Sequence, residues 1–80
     1  MSGEQPLITC KELKKILTYL GFTVTTQAGS HEQWTKVENG RKYKVTVDCP
    51  KSPFSQTLIK SMAEQAGKSK KDFYSILKTL

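Results

Sequence analysis

The only histidine of this chain, His31, lies in the segment Gln-Ala-Gly-Ser-His-Glu-Gln-Trp, between two stretches that are typical of β-strands. Imidazole is the side chain whose ordinary pKa, about 6.5, allows proton transfer near neutral pH. The nearby Gly29 lets a backbone or a phosphate approach closely. A lone proton-transfer group on a small basic chain predicts chemistry on a polyanion, and RNA is the favoured candidate. RNA carries its own nucleophile, the 2′-hydroxyl, so a positioned base and charge stabilisation suffice without a metal.

Size and charge restrict the function classes. Eighty residues make one domain with a thin core, which excludes a Rossmann-type cofactor domain and a large enclosed pocket. A net charge of +6 and a pI of about 9.5 favour nucleic acid, an anionic membrane surface or an acidic protein, although charge can also serve solubility alone. There is no apolar run of roughly 20 residues and no secretory signal in Met1 to Pro6. We therefore expect a cytoplasmic protein with no membrane partner.

The cysteines offer little chemistry in sequence. Cys10 and Cys49 are far apart and form no CxxC motif, and with one histidine they are too few for a zinc site. We predict no metal and no cofactor, and two reduced structural thiols. A catalytic Cys49–His31 pair stays open as an alternative, but no third orienting group is identifiable for it.

The elements that position His31 follow from periodicity. Residues 1–8 read as a flexible leader, and 9–80 as a single domain. Thr9 and Glu12 fit a capping box that begins a helix, and Gly21 fits its end. The helix would bury the face formed by Leu13, Ile16, Leu17 and Leu20.

Three strands should follow, because the apolar period changes to two. Residues 22–27 predict the first, with Phe22, Val24 and Thr26 on one face, and His31 to Val37 the second. Asn39-Gly40 is a strong hairpin signal before a third strand, Arg41 to Asp48. Residues 49–53 form a loop.

Two helices complete the chain. One begins near Ser52-Pro53 or at Ser55 and ends at Gly67, and a short one is capped by Ser69. Their apolar stripes are Leu58, Ile59, Met62, Ala63 and Ala66, then Phe73, Ile76, Leu77 and Leu80. The order α-β-β-β-α with an extra helix predicts an α+β sandwich, in which a three-stranded antiparallel sheet has helices on one face and leaves the other open.

Four stretches in this order resemble the HicA family of small bacterial toxins over about residues 9–77. They are Lys11-Glu12-Leu13 with Leu20-Gly21-Phe22, the segment from Gln27 to His31, Asn39-Gly40-Arg41 with its strand, and Leu58-Ile59-Lys60 with Gln65-Ala66-Gly67 and Asp72-Phe73. The resemblance implies a double-stranded-RNA-binding-like fold, a sequence-relaxed mRNA endonuclease, a HicB-type antitoxin partner and a catalytic role for His31. The resemblance also implies a further histidine or a basic loop before the last long helix, and because the loop 48–53 has no histidine, a second proton-transfer group is not identifiable from the sequence.

The resulting hypothesis gives each candidate residue a role. His31 is the general base or acid, and Gly29 and Ser30 contact the phosphate. Trp34 stacks on an unpaired base. The RNA backbone is held by Lys36, Arg41, Lys42 and Lys44. Structural alternatives stay open: Gly29 as a turn residue, Trp34 as a core residue, and the cations as a solvated face.

Two other functions remain open. One is a non-catalytic RNA-binding module of similar fold, which would read duplex shape and need no histidine. The other is a protein-interaction domain whose basic face binds an acidic partner. This second function is compatible with a toxin, because an acidic antitoxin over His31 would block its substrate.

Overall fold

The helices and strands follow one another in the order predicted from the sequence. A computed structural model describes residues 6–80. The elements are α1 (Cys10–Tyr19), β1 (Thr23–Ala28), β2 (His31–Glu38), β3 (Arg41–Asp48), a 3-10 turn (Cys49–Lys51), α2 (Gln56–Gln65) and α3 (Lys70–Thr79). The predicted α+β class with a double-stranded-RNA-binding-like layout is confirmed. The extra helix α3 is as long as the other two, at 10 residues.

The first helix has the predicted capping box. The Thr9 hydroxyl accepts from the Glu12 N–H at 3.2 Å, and the Glu12 carboxylate accepts from the Thr9 N–H at 3.0 Å. These two bonds satisfy donors that a helix N-terminus otherwise leaves unpaired. The buried face consists of Leu13, Ile16 and Leu17. Gly21 ends the helix with a φ of 96°, a conformation that favours glycine.

The sheet has the order β1-β2-β3, so β2 is its central strand. Asn39 and Gly40 both have positive φ, 53° and 77°, as a two-residue type I′ turn requires. This turn puts Glu38 opposite Arg41 and fixes the register of the whole hairpin. Its far end pairs His31 with Asp48.

The first strand differs from its prediction. We expected Phe22, Val24 and Thr26 to lie on one face of a regular strand that starts at Phe22, but β1 begins at Thr23, is exposed along its full length, and only the preceding Phe22 enters the core. The register is irregular between Val24 and Thr26. A bulge on an edge strand breaks the alternation that the prediction assumed.

The core lies between the helices and one face of the sheet. The fully buried side chains include Val45, Val47, Ile59 and Phe73. Ser55, rather than Ser52-Pro53, caps α2, and Ser69 caps α3 with Asp72 as predicted. Within residues 6–80, none of the helices has the length and apolar character needed to cross a bilayer.

The chain is ordered earlier than the predicted leader suggests. Residues 1–5 lie outside the described residues. Ile8, assigned to the leader from sequence, is fully buried, and its carbonyl accepts from the Phe54 N–H at 2.9 Å. The packed domain therefore includes Ile8, because an apolar side chain beside the helix start completes the core.

The prediction of two reduced cysteines is wrong in the structure, where Cys10 and Cys49 form a disulfide. The fold brings the start of α1 to the end of β3, and the Cys10 N–H donates to the Ser52 hydroxyl at 2.8 Å. The two Cα atoms are 5.3 Å apart, a separation that disulfides span. A cysteine nucleophile paired with His31 is therefore excluded in this state.

Candidate active site

His31 is the first residue of β2 and lies at the rim of the sheet. It follows the two-residue turn Gly29-Ser30, in which Gly29 has a φ of 62°. Glycine at the first central position is typical of a type II′ hairpin turn. The His31 side chain is 56% exposed, so an external substrate can reach the imidazole.

The carboxylate of Asp48 contacts two polar side chains at this rim, those of His31 and Ser30. Asp48 lies opposite His31, with its Oδ2 3.3 Å from the imidazole Nε2. Its Oδ1 accepts from the Ser30 hydroxyl at 3.3 Å. A carboxylate at Nε2 fixes the orientation of the ring and stabilises an imidazolium. Nδ1 is then the ring nitrogen that Asp48 leaves unoccupied.

Asp48 is a site residue that the sequence analysis missed, although a signal for it was present. Both His31 and Asp48 lie seven positions from the turn pair Glu38 and Arg41. Because a two-residue turn fixes which residues oppose each other, the predicted hairpin already implied this pair.

A half-open cleft of about 210 Å³ lies beside this pair, between the end of β3 and α2. Its polar lining includes His31 and Asp48 and also an exposed cation that the sequence analysis left out, Lys51. The other lining residues are Thr46, Phe54, Leu58, Ser61, Met62 and Gln65. The cleft thus combines a proton-transfer group, a positive charge and an apolar floor.

The predicted RNA-binding cations do not share one face. Lys42 and Lys44 alternate with core residues and lie on the same face as His31. Lys36 lies on the opposite face, with its Nζ 3.3 Å from Glu38 and 5.9 Å from the centre of the Phe22 ring. Arg41 also lies on that face, over the Tyr43 ring. Lys36 and Arg41 therefore lie on the face opposite His31, since successive strand residues point to opposite faces.

Trp34 is not placed to stack on a base. Its side chain belongs to the core and the residue is 8% exposed. Its indole N–H donates to Glu32 Oε1 at 3.0 Å. The core alternative is therefore the correct one, because Trp34 pairs with Val45 on the buried face. Gly29 and Ser30 remain exposed next to His31.

Glu32 follows His31 in sequence but supports the sheet from the other face. Its Oε2 lies 2.9 Å from the Lys14 Nζ of α1. The hydrogen bond from Lys14, with a further one from Trp34, holds the pKa of Glu32 below its ordinary value of 4.5 despite the opposing effect of burial. The ion pair attaches α1 to β2 beneath the site.

Within the part of the chain that the structure describes, there is no group of three or more His, Cys, Asp or Glu side chains that could hold a metal ion.

Comparison with known proteins identifies a family. The family model described as the HicA toxin of bacterial toxin–antitoxin systems matches residues 10–68. The match includes the disulfide, the hairpin, the His31–Asp48 pair and α2. No curated protein and no solved structure gave a significant match.

Proposed function

Since this chain belongs to the HicA family of toxins from bacterial toxin–antitoxin systems, we propose that it is an endoribonuclease that cleaves mRNA with His31 as general acid or base. The observation that carries the proposal is the exposed imidazole held by Asp48 at 3.3 Å beside a cleft that also contains Lys51. A catalytic histidine needs access, orientation and nearby positive charge, and this rim supplies all three.

The chemistry requires few parts. The imidazole Nδ1 takes the proton of a ribose 2′-hydroxyl, whose oxygen then attacks the adjacent phosphorus. The bond to the 5′-oxygen breaks, that oxygen takes a proton from water, and the imidazolium gives its proton to the hydroxide ion so formed. The products are a 2′,3′-cyclic phosphate and a 5′-hydroxyl. Asp48 stabilises the imidazolium as it forms. Lys51 and the backbone N–H groups around Gly29 stabilise the charge that develops on the phosphate.

The open face of the sheet offers a path for the RNA strand. Lys44 lies opposite Thr35, four residues along β2 from His31, and Lys42 lies two residues farther. At about 3.3 Å per residue these positions are roughly 13 and 20 Å from His31. Two cations at these distances can neutralise phosphates well away from the cleavage point.

The sheet face that contains His31 is also the proposed binding surface for a protein partner. We propose that a HicB-type antitoxin with acidic groups covers His31 and the cations beside it, and blocks the substrate by occlusion. The cytoplasm is the proposed site of action, since mRNA is the substrate. Disulfides are rare in reducing compartments, so the redox state of Cys10 and Cys49 in cells is itself worth measuring.

The test is cleavage of labelled mRNA by purified wild-type protein and by His31→Ala. We expect the variant to lose roughly 10²- to 10⁴-fold in rate, the usual contribution of a general acid or base. Ser75→Ala, an exposed position on α3 away from the rim, is the matched control and should cleave normally. Growth after induction of each protein gives a second readout, with arrest by wild type alone.

Normal cleavage by His31→Ala would overturn the catalytic assignment. The alternative is a non-catalytic RNA-binding module, and the support for it is that the two cations on the open face would attract phosphates without any need for His31. Binding of labelled RNA by the wild type without fragments would favour that module.

A further inference from the structure

The cleft beside His31 has an apolar floor that the cleavage chemistry does not use. Phe54 and Met62 lie behind this floor at 1% and 5% exposure and offer almost no surface of their own, so the half-buried Leu58 supplies the accessible apolar surface. An accessible aliphatic side chain beside the His31 rim is suited to apolar contact with the face of a nucleobase. The volume of about 210 Å³ is below the roughly 300 Å³ of a site for a drug-sized ligand, so the cleft is suited to one base.

One wall of the cleft is a glutamine whose orientation is fixed. The Gln65 Oε1 accepts from the backbone N–H of Thr46 at 3.3 Å. Because that N–H can only donate, the amide oxygen must face it, and the Nε2 group is left with two donors. Ser61 lies one helical turn earlier on the same face of α2 and also lines the cleft. This wall therefore presents donors to a ligand.

We propose that the cleft is a base subsite that prefers guanine or uracil, with Gln65 as the residue that reads the base. Guanine and uracil carry a carbonyl oxygen where adenine and cytosine carry an amino group. An amino group facing the Gln65 Nε2 would set donor against donor, whereas a carbonyl oxygen accepts from it. The inference rests on the proposed function, because the base belongs to the RNA that is cleaved at His31.

The geometry links the two sites directly. Thr46, which orients Gln65, lies two residues before Asp48 on β3, and Asp48 holds His31. A base seated against α2 therefore has its ribose and phosphate at the rim, near the imidazole and Lys51. The subsite would select which linkage of a single strand reaches His31.

The experiment compares short RNAs that differ only in the nucleotide next to the scissile bond. We expect wild-type protein to cleave after guanine or uracil roughly three- to tenfold faster than after adenine, the size expected of one hydrogen bond. Gln65→Met should abolish this preference. Gln65→Glu keeps an acceptor for the Thr46 N–H and replaces the donors, so its preference should shift toward adenine and cytosine. The same added negative charge at an exposed position on α3, Ser75→Glu, should leave the ratio unchanged.

A binding measurement separates this inference from the proposed function. The His31→Ala protein is titrated with guanosine, uridine and adenosine 3′-monophosphates, and NMR follows the Gln65 side-chain amide. Larger chemical-shift changes with the guanine and uracil nucleotides than with adenosine 3′-monophosphate would support the subsite. This holds even if the wild-type protein cleaves no RNA, because absence of cleavage would reject only the nuclease. Cleavage with the same base ratio in wild type and in correctly folded Gln65→Met and Gln65→Glu would overturn the subsite and leave the nuclease intact.

Discussion

His31 and Asp48 form the contact on which the proposed chemistry depends. The two residues are recognised by different properties of the sequence. His31 is notable for its residue type, since it is the only histidine in the chain. Asp48 has no such distinction, and its importance comes from its position opposite His31 and from its second contact with Ser30. The pair gives the imidazole a fixed orientation at an exposed rim.

Replacing Asp48 tests whether it positions the ring. In Asp48→Asn the amide cannot stabilise an imidazolium, so we expect kcat for RNA cleavage to fall about ten- to a hundredfold. KM should change little, because the carboxylate does not need to touch the substrate. Steady-state kinetics over a range of pH measure both effects, and Asp48→Glu should restore part of kcat. An equal loss with a raised KM and an unchanged pH profile would indicate a role in substrate binding instead.

At the scale of elements, the pleat of the β2–β3 hairpin decides which cations lie on the same face as His31, where the proposed RNA path runs. For single strands, log K falls with log[salt] at a slope of about −0.7 per phosphate neutralised. Removing Lys42 and Lys44 together, each changed to Gln, should make the slope shallower by roughly 1.4. Anisotropy of labelled RNA bound to His31→Ala protein at several salt concentrations measures the slope. Arg41→Gln, on the other face of the same hairpin, should leave it unchanged, and an equal effect would contradict the assigned faces.

At the junction between α2 and α3, replacing Gly67 should lower the free energy of unfolding substantially. Gly67 has a φ of 74°, and an added Cβ would lie 2.7 Å from the Tyr43 ring. Gly40 has a similar φ of 77° with open space around it. Gly40→Ala should lower the free energy of unfolding by about 1–2 kcal/mol through backbone strain alone. Gly67→Ala should cost about 1–3 kcal/mol more, because the ring must move. Urea unfolding of the two variants measures the difference, and equal losses would contradict it.

The ion pair between α1 and β2 predicts a dependence of stability on pH. The pKa of Glu32 is lowered in the folded state, chiefly by the hydrogen bond from Lys14. The ionised carboxylate therefore adds to the free energy of unfolding at pH values above its ordinary pKa of 4.5. This added stability is lost as the pH falls through the lowered pKa of Glu32 in the folded protein. We expect Glu32→Gln to cost about 1 kcal/mol at pH 7, allowing for solvent at the half-exposed Lys14, and much less at pH 3.

Urea unfolding of wild type and Glu32→Gln at both pH values measures this change. Glu64→Gln, an exposed position on α2, controls for the loss of one negative charge. A difference between wild type and Glu32→Gln that stays constant from pH 7 to pH 3 would contradict the assignment.

At the scale of the whole molecule, the disulfide joins the start of α1 to the end of β3 across a sequence separation of 39 residues. Closing a loop of that length stabilises the fold by about 4 kcal/mol in the chain-entropy estimate. A thiol reductant should therefore lower the urea midpoint of the wild type and leave that of a Cys10→Ser, Cys49→Ser double variant unchanged. Two thiols that titrate in the native, unreduced protein would contradict the pairing.

The elements were predictable because their signals are local. The Thr9–Glu12 and Ser69–Asp72 capping boxes and the Asn39-Gly40 turn fix helix starts and a hairpin within a few residues of chain. These signals were sufficient for the α-β-β-β-α order and for an exposed His31. The bulge in β1 was not predictable, because it depends on pairing with β2 rather than on the composition of β1.

The sequence by itself determined which residue types could do chemistry and in which order the elements form, because composition, capping and turn signals act over short stretches. Only the tertiary structure decided which side chains meet. In the folded chain Trp34 is buried, and Lys36 and Arg41 lie on the face opposite His31. Cys10 and Cys49 form a disulfide, and α2 lies beside β3 to form the cleft. The physical reason is that strand register and helix packing are properties of residues distant in the chain, which share a face or a contact only after the core has formed.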